Sequence, residues 1–501
     1  LTTTGAYLTV NQAVDTESDA NADDSSGRAV SLTATSGGEI RLAADITSIG
    51  DQYYDGTARI AGDSVLTAVG TAGNPSDITF SGNILNFSGS TEVLTLISDG
   101  AMSVSGYVQV DALALQGETS VTLDNTSNQI GKLTAGTSAK RLIDLTVVSN
   151  AAMEVGTING QSGIYVDEDV SLKTLDGTIR LGADLRAGQH VTLTGGAKVT
   201  ADTVLESVQG NITFNGDITS ADRTQRLSLV TNGTMSQAGS MEIEELSLQG
   251  TADFRLDNSG NQIGLLSAGG TSSIGALTVV NNGELVIGTT AAGTGEAQNG
   301  ITASGDVSLT TSDANIVFNS AVSTSGALSV NAGGGEIQLN AGLTSDGALS
   351  LTGAASVQAE AVDLEATNGV LSLNGTVDSA EGAQTLTLIS NQRVTQTGAM
   401  TIEELALEGS GDFKLDNTDN AIDVIAAGST DNRIGALTLV NSQALEIGTA
   451  GAVEATEGTP AVEGMKGIHA TGDLDIETQV GGITVTQAVD TSSSTASALV
   501  L

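Results

Sequence analysis

The sequence repeats itself in the segments Gly305-Asp306-Val307-Ser308-Leu309, Gly326-Ala327-Leu328-Ser329-Val330 and Gly347-Ala348-Leu349-Ser350-Leu351, with a constant step of 21 (326−305 and 347−326). Between them, Ile316-Val317-Phe318-Asn319 and Ile337-Gln338-Leu339-Asn340 keep the same step. A fixed step built from short alternating strands and small turn residues is typical of a solenoid, in which each coil covers its neighbour. We therefore predict an all-β, parallel solenoid with about 20 to 21 residues per coil.

An alternating strand motif extends this pattern along the chain. Eight copies begin and end with an apolar residue, and the middle residue is polar in seven of them: Ile40-Arg41-Leu42, Ile78-Thr79-Phe80, Ile179-Arg180-Leu181, Ile212-Thr213-Phe214, Ile316-Val317-Phe318, Ile337-Gln338-Leu339, Leu371-Ser372-Leu373 and Ile483-Thr484-Val485. The alternation predicts that the first and third side chains face the interior. Six positions after each start stands another aliphatic residue, which we assign to a second inward face: Ile46, Ile84, Leu185, Ile218, Val322, Leu343, Val377 and Val489.

A longer repeat is superimposed on the coils. Leu123-Asp124-Asn125, Leu256-Asp257-Asn258 and Leu415-Asp416-Asn417 follow one another at steps of 133 (256−123) and 159 (415−256). These two steps differ by 26 (159−133), which is about one additional coil. Each long repeat also contains a Gly-Thr segment followed by Gly-Ile, at Gly163, Gly300 and Gly467. We predict one elongated domain over residues 1–501, cut from a longer array, because residues 486–491 repeat residues 11–16 almost unchanged.

The composition restricts the possible classes of function. Apolar residues make up 39% of the 501 residues and aromatic residues only 2%, which suits a narrow interior filled by aliphatic layers. The net charge is −42 with only 17 Lys and Arg, so nucleic acid is not an expected partner, since phosphate binding needs clustered cations. Acidic side chains on outward positions would keep the protein soluble.

Further classes are excluded by what the sequence lacks. It contains no Cys, which excludes disulfides and thiol chemistry. It has no apolar run long enough to predict membrane insertion, and we expect no cofactor. The chain begins with Leu1, without a recognisable signal peptide, and resembles a slice of something longer.

Few residues suggest catalytic chemistry. His190 and His469 lie in strand contexts without a second nearby His or any Cys, so we expect outward or corner positions. Gly62-Asp63-Ser64 resembles the surroundings of a nucleophilic serine, but such a triplet arises easily in a chain rich in Gly and Ser. Paired carboxylates could serve as acid and base in a polysaccharide-active enzyme. The candidates are Asp167, Glu168 and Asp169, and Glu403-Glu404, which repeats Glu244-Glu245.

Calcium is a second possible ligand. The nonapeptide repeat of calcium-binding β-rolls and the EF-hand loop are both missing. A local acidic cluster could hold a divalent ion loosely or form a solvated loop: Asp15, Glu17, Asp19, Asp23 and Asp24. We expect irregular, acidic surface bulges at residues 17–28, 51–56, 291–299 and 452–465.

At three segments the chain resembles a known family. Gly305-Asp306-Val307-Ser308-Leu309, Gly210 to Asn215 (Gly-Asn-Ile-Thr-Phe-Asn) and Ile274 to Asn281 (Ile-Gly-Ala-Leu-Thr-Val-Val-Asn) are similar to the repeats of filamentous haemagglutinin-type adhesins. These are large bacterial exoproteins of two-partner secretion or autotransporter type. The resemblance covers essentially the whole chain as a style of repeat. It implies a right-handed parallel β-helix, export through an outer-membrane pore and a place on the bacterial surface.

The sequence therefore leads to one main functional prediction and two alternatives. We expect a non-catalytic stalk or adhesin fibre that presents loops to a host or neighbouring cell surface, a glycan or a matrix component, and that adjoins further repeats of the same protein. The alternatives are a polysaccharide lyase or hydrolase, which needs a groove with facing carboxylates, and a calcium-dependent matrix protein, whose stability would depend on calcium. No catalytic or metal-binding residue is predicted, and the binding residues are unknown.

Overall fold

The computed structural model describes residues 1–4, 7–16, 29–35, 38–71, 73–87, 91–291, 297–379, 384–452, 463–491 and 499–500. These residues form β-strands and turns, with no helix among them. The predicted all-β class is therefore confirmed. The chain divides into two compact units, Leu1–Glu244 and Glu245–Leu501.

The N-terminal unit consists of short strands joined by tight corners. Its strands are Thr2–Thr4, Tyr7–Val10, Val14–Asp15, Val30–Thr35, Glu39–Leu42, Ile46–Ser48, Gln52–Asp55, Thr57–Ile60, Ser64–Ala68, Ile78–Phe80, Ile84–Asn86, Val93–Ser98, Met102–Val104, Val108–Gly117, Val121–Leu123, Gln129–Ala135, Leu145–Ser149, Met153–Val155, Thr157–Ile158, Gln161–Ser162, Ile164–Tyr165, Val170–Leu181, Leu185–Ala187, Val191–Val199, Thr203–Ser207, Ile212–Phe214, Ile218–Ser220, Arg226–Thr231 and Thr234–Gln237. Strand Met241–Gln249 contains the division between the units.

The C-terminal unit is built in the same way. Its strands are Asp253–Leu256, Gln262–Ala268, Leu277–Asn281, Leu285–Ile287, Thr289–Thr290, Gln298–Asn299, Ile301–Ala303, Val307–Thr311, Ile316–Phe318, Val322–Thr324, Leu328–Leu339, Leu343–Ser345, Leu349–Val357, Ala361–Ala366, Leu371–Asn374, Val377–Ser379, Thr385–Ser390, Arg393–Gln396, Met400–Glu408, Asp412–Leu415, Ala421–Ala427, Leu437–Asn441, Leu445–Ile447, Thr449–Ala450, Met465–Lys466, Ile468–His469, Leu474–Thr478, Ile483–Val485, Val489–Asp490 and Leu499–Val500.

Equivalent strands of successive coils pair in parallel, so that each unit is a β-solenoid with three strand ladders. In the C-terminal unit the first ladder aligns Val307, Leu328 and Leu349. The second aligns Ile316 with Ile337, and the third aligns Val322 with Leu343. Each of these pairs is separated by a step of 21 (328−307, 337−316 and 343−322). The predicted coil length is thus confirmed, because residues one coil length apart are aligned in the parallel strand pairs.

The N-terminal unit has the same three ladders. The first aligns Val170, Val191 and Ile212, and the second aligns Ala197 with Ile218. The third aligns Ile164, Leu185 and Leu205. Coil length is not constant: this unit has a step of 18 from Ile40 to Ala58 (58−40) and a step of 32 from Leu8 to Ile40 (40−8). Since the strands themselves stay in register, the variation is confined to the corners.

The interior is aliphatic, as the alternating motif predicts. In seven of the eight motif copies, the first and third residues are buried, and so is the aliphatic residue six positions after the start. The inward assignment of Phe80, Phe214 and Phe318 is also confirmed. One larger ring pair adds to the core: Tyr54 stacks on Phe80 with centroids 4.5 Å apart, and its hydroxyl donates to Oε1 of Gln52 at 2.7 Å. Burial raises the pKa of Tyr54 far above its usual range.

Two sequence predictions fail locally. The last motif copy, Ile483–Val485, is not buried: Val485 is 48% exposed, and the strand pairs on one side with Leu445–Ile447 among the described residues. An inward position needs a covering coil, which sequence alternation cannot guarantee. The bulge expected at residues 51–56 is also wrong, because Gln52–Asp55 is a regular strand in which Gln52 and Tyr54 are buried. Asp51, which precedes this strand, accepts the amide of Asp77 at 2.9 Å.

The additional coil expected from the long repeats is visible in the first ladder. In the N-terminal unit, three successive strand pairings connect Leu172 with Gln237, through Leu193 and Phe214. In the C-terminal unit, four successive strand pairings connect Leu309 with Gln396, through Val330, Leu351 and Leu373. Gln237 and Gln396 are separated by the longer step of 159 (396−237). The longer interval therefore contains one more coil.

A charge inside a ladder should open the solenoid. Leu339 is fully buried, whereas its neighbour Gln338 points outward. We expect Leu339→Lys to lower the free energy of unfolding by several kcal/mol, because an unpaired charge would be buried. Gln338→Lys, the matched control, should change it by less than about 0.5 kcal/mol. Chemical denaturation followed by circular dichroism measures both, and equal stability of the two variants would contradict the inward assignment.

Candidate functional site

Acidic corner residues bind the main chain of the next coil. Along one corner of the N-terminal unit, Oδ1 of Asp144 accepts the amide of Asp169 at 3.1 Å, and Oδ1 of Asp169 accepts the amide of His190 at 2.9 Å. Nδ1 of His190 then accepts the amide of Asn211 at 3.0 Å, and Oδ1 of Asn211 accepts the amide of Thr234 at 2.9 Å. His190 thus occupies a corner position, as predicted, and Asp169 is a structural acceptor.

The same arrangement recurs in the C-terminal unit. Oδ1 of Asp253, Asp306 and Asp412 accepts the amides of Ala276, Ala327 and Ala436 at 2.7 to 2.8 Å. A carboxylate that accepts a main-chain amide satisfies a group that would otherwise lack a partner at a bend. Part of the acidic excess is therefore structural and does not serve solubility alone.

The other candidate catalytic residues also form hydrogen bonds or ion pairs within the fold. Ser64 is buried, and its hydroxyl donates to the carbonyl of Gly62 at 2.9 Å, while Oδ1 of Asp63 accepts the amide of Val93 at 2.9 Å. His469 is only 12% exposed at its side chain, and its Nδ1 lies 3.9 Å from Oδ2 of Asp490. Asp490 also pairs with Arg433 at 2.5 Å. The geometry does not bring these groups together in one cleft within the described residues.

A buried asparagine joins adjacent coils in each long repeat, and it is not among the residues singled out from the sequence. Nδ2 of Asn128 donates to the carbonyls of Leu123 and Val148 at 2.9 and 3.1 Å, and its Oδ1 accepts the amide of Val108 at 2.8 Å. Asn420 makes the equivalent bonds in the C-terminal unit. The signal was present in the sequence, because Asn128, Asn261 and Asn420 recur at the two steps of the long repeat (261−128 and 420−261).

A β-hairpin leaves the coil at one equivalent place in each long repeat. In the first, Thr157–Ile158 pairs antiparallel with Gln161–Ser162. In the second, Thr289–Thr290 pairs with Gln298–Asn299, and in the third Thr449–Ala450 pairs with Met465–Lys466. A Gly-to-Gly main-chain bond closes each hairpin, from Gly163 to Gly156, Gly300 to Gly288 and Gly467 to Gly448. These three hairpins are the candidate functional site.

The hairpins differ in length, while the isoleucine that follows each one pairs within the third ladder in every case. Two residues join the arms of the first (161−158−1), seven join those of the second (298−290−1) and fourteen join those of the third (465−450−1). The first turn is Asn159-Gly160 with φ of 49° and 84°, the signature of a type I′ turn. The bulges expected at residues 291–299 and 452–465 thus contain hairpin arms, whereas residues 292–296 and 453–462 lie outside the described residues.

After each hairpin, the chain returns to the ladder through a glycine. Gly163, Gly300 and Gly467 have φ of 79°, 68° and 70°. A Cβ at these positions would lie 2.1 to 2.3 Å from a main-chain carbonyl oxygen of the next coil. Only glycine adopts this conformation freely and permits the close approach. The glycine therefore lets Ile164, Ile301 and Ile468 re-enter the third ladder.

A glutamate binds the base of each of the two longer hairpins. Oε2 of Glu404 accepts the amide of Gly451 at 2.7 Å and the hydroxyl of Thr385 at 3.0 Å. Glu245, the equivalent position of the preceding long repeat (404−159), accepts the amide of Ala291 in the same way. In the first long repeat, which has the two-residue turn, the equivalent residue is Ala112 (245−133). The second carboxylate of the Glu-Glu pair thus binds the main chain at the base of a loop.

Removing this carboxylate should loosen the hairpin and leave the solenoid intact. We expect Glu404→Ala to accelerate hydrogen exchange of the Gly451 amide by at least about tenfold, because a charge-assisted hydrogen bond is lost. The melting temperature should change little. Glu284→Ala, which removes an exposed carboxylate in the same unit, is the control. Unchanged exchange at Gly451 would show that Glu404 does not hold the loop.

Carboxylates crowd the sheet beside the third hairpin. Glu365 is aligned with Ile389, which is aligned with Glu408 on the following coil. Partial burial raises the pKa of the Glu408 carboxyl, and the carboxylates of Asp363 and Glu365 raise it further. In the first long repeat the equivalent residue is Gln116 (408−159−133), whose Nε2 donates to Oε1 of Gln161 at 2.8 Å. A neutral amide is therefore compatible with this position.

Because the folded state raises this pKa, ionisation of Glu408 costs stability. The cost is absent below the unfolded pKa of about 4.3 and is fully present once the pH exceeds the folded pKa. We therefore expect Glu408→Gln to raise the melting temperature at pH 7 and to lose that gain near pH 4. Melting curves from pH 3.5 to 8 measure the difference, with Glu284→Gln as the control. A gain that is independent of pH would exclude the electrostatic cause.

The acidic cluster near the amino terminus lies mostly outside the described residues. Of the cluster proposed for a divalent ion, only Asp15 is described, and the bulge expected at residues 17–28, with Glu17, Asp19, Asp23 and Asp24, lies outside the described residues. Across the described ranges, no group of three or more His, Cys, Asp or Glu could hold a metal ion. The described part of the chain also has no helix of sufficient length and apolarity to cross a bilayer.

No protein-family model, curated protein or solved structure matches this chain. The parallel solenoid therefore stands on the strand registers alone. The likeness to adhesin repeats stays a prediction.

Proposed function

We propose that this chain is a non-catalytic stalk that presents loops for attachment. One observation carries the proposal: the hairpins recur at one position of the long repeat with loops of increasing length between their arms, while the strand beyond each hairpin re-enters the third ladder. Insertions that leave the stack undisturbed are typical of repeat proteins whose variable segments bind partners. The stacked coils would make the stalk long and stiff, and the loops would contact the partner.

The repeat style suggests where such a stalk would act. We propose a filamentous haemagglutinin-like adhesin segment, secreted or held on the outside of a bacterial cell, which attaches to a host or neighbouring cell, a glycan or a matrix component. The absence of Cys suits a chain that stays unfolded during export, and the charge of −42 opposes self-association. Neighbouring repeats of the same protein would extend the stalk.

The contacts of the two longer hairpins support presentation. In the third hairpin, Ala450 belongs to a buried cluster with Ala406 and Ala426, and Met465 packs against that cluster. Glu404 adds a hydrogen bond to the next residue, Gly451. A loop whose base is fixed by packing and by a charged acceptor loses less entropy when a partner binds, which favours affinity.

Two alternative functions require other features. A polysaccharide-active enzyme would need facing carboxylates, and the groups Asp167 to Asp169 and Glu403-Glu404 instead include residues that bind the main chain of their own fold, Asp169 and Glu404. A calcium-dependent matrix protein would gain stability on calcium binding. Each alternative predicts a result that the stalk does not.

Loop replacement tests the proposal. The chain is displayed on a non-adherent bacterium, and residues 291–297 and 451–464 are replaced by Asn-Gly, the turn of the first hairpin. We expect attachment to cultured cells or immobilised matrix to fall at least tenfold, with an unchanged melting temperature. The control replaces Asn159-Gly160 by Asp-Gly, which keeps a type I′ turn.

Other outcomes would contradict the stalk. Attachment that is independent of both loops would exclude them as the contact surface. Release of reducing ends or unsaturated sugars from polysaccharides would favour the enzyme. A rise of several degrees in melting temperature with millimolar calcium would favour the cation-dependent matrix protein.

A further inference from the structure

An open groove of about 770 Å³ lies on the outer face of the N-terminal unit, and its described lining includes no residue of the hairpin at residues 157–162. Its polar lining consists chiefly of Arg59, Asn86, Gln109, Asp111 and Gln129, and Phe87 is its one aromatic residue. A groove of this size, with a few placed polar groups beside an apolar surface, is in the range of small-ligand sites.

The lining residues are arranged with the spacing of the coils. Arg59 is aligned with Leu85, Leu85 with Gln109 and Gln109 with Gln129, each one coil further along the second ladder. Successive coils are about 4.8 Å apart, so the outward groups recur at that interval. This interval is close to the length of one pyranose ring in an extended sugar chain. A linear oligosaccharide that runs along the ladder would therefore place one sugar ring beside each coil.

Phe87 is unlike the other phenylalanines. The chain has six, all of them described, and the five others are buried in the core, whereas Phe87 is 39% exposed. The guanidinium of Arg41 lies 5.3 Å from the Phe87 ring and 3.2 Å from the ring of Tyr7. A cation between two rings restrains both of them. Residues 88–90 lie outside the described residues and carry none of this argument.

Side-chain amides supply paired donors and acceptors. Nε2 of Gln109 donates to Oε1 of Gln129 at 3.1 Å, which leaves Oε1 of Gln109 as an acceptor and Nε2 of Gln129 as a donor. Nδ2 of Asn86 donates to Oδ2 of Asp111 at 3.0 Å and fixes that carboxylate. A sugar hydroxyl is both donor and acceptor, so a row of oriented amides suits it.

The charge of the groove favours an uncharged ligand. Nε of Arg59 is paired with Oε1 of Glu39 at 2.5 Å, which offsets the one cation of the lining. Asp111 is its one carboxylate. The whole chain carries −42 and therefore repels anionic sugars at low salt.

We propose that this groove binds a linear, uncharged oligosaccharide, with one ring against Phe87 and its hydroxyls bound by Gln109, Gln129 and Asp111. This site goes beyond loop-mediated attachment and does not depend on it. A stacked ring contributes through its apolar face, and the amides set the register of the sugar along the ladder.

Titration calorimetry of the full chain tests the groove. The probes are four-unit oligomers of glucose, mannose and N-acetylglucosamine, with a sialylated and a sulphated oligosaccharide for comparison. We expect saturable binding of at least one neutral oligomer and weaker binding of the anionic ones. Phe87→Ala should weaken binding about tenfold. Tyr53→Ala is the matched control, because Tyr53 is 42% exposed but lies on the first ladder, aligned with Thr79.

A second variant distinguishes loss of sugar binding from loss of the fold. The double variant Gln109→Ala and Gln129→Ala removes only exposed amides and should also weaken binding about tenfold, with an unchanged melting curve. Absence of neutral oligosaccharide binding, preference for the anionic sugars, or equal affinity in Phe87→Ala, the double variant and the parent would overturn the proposal. Sugar binding without loop-dependent attachment would support the groove and contradict the stalk. Loop-dependent attachment without sugar binding would support the stalk and contradict the groove.

Discussion

The fold depends on main-chain hydrogen bonds between equivalent strands of successive coils. These bonds impose a register, and the register places an aliphatic side chain above an aliphatic side chain, as in Val307, Leu328 and Leu349. A slip of one residue would turn the interior outward, because strand side chains alternate. The strands are therefore the fixed part of each coil, and the corners absorb differences in coil length. Third-ladder steps of 21 (322−301) and of 41 (468−427) coexist in the C-terminal unit for this reason.

This constraint also explains the distribution of polar residues. A corner exposes main-chain amides that the ladders do not use, and carboxylates such as Asp169 and Asp306 accept them. Where a chain segment turns inside the stack, a buried asparagine such as Asn420 accepts the amide of Met400 and donates to the carbonyls of Leu415 and Val440. A carboxylate on a strand face is less favourable: partial burial raises the pKa of Glu408, and the carboxylates of Asp363 and Glu365 raise it further. Position relative to the ladders thus decides whether an acidic residue stabilises the fold.

Much of the solenoid could be predicted, since its determinant is local. The alternation in Ile337-Gln338-Leu339 and its recurrence at a constant step indicate inward faces without any knowledge of distant contacts. The hairpins were only partly predictable. Gly300 and Gly467 were visible as repeated residues, but the two-residue arms beside them are too short for a pattern, and their direction is set by the neighbouring coil. The groove was not predictable, because Arg59 and Gln129 are far apart in the sequence and line one groove only because the ladder aligns their coils.

The register itself can be measured most directly by cross-linking, because the chain contains no Cys. Ser308 and Ser329 are aligned on adjacent coils, while Asn331 is displaced from Ser329 by two positions on the same face. Aligned parallel positions about 4.8 Å apart fit the Cα separation of a disulfide. The double variant Ser308→Cys with Ser329→Cys should oxidise to an intramolecular disulfide, and Ser308→Cys with Asn331→Cys should remain largely reduced under the same mild conditions. Preferential oxidation of the second pair, or of neither, would contradict stacking in this register.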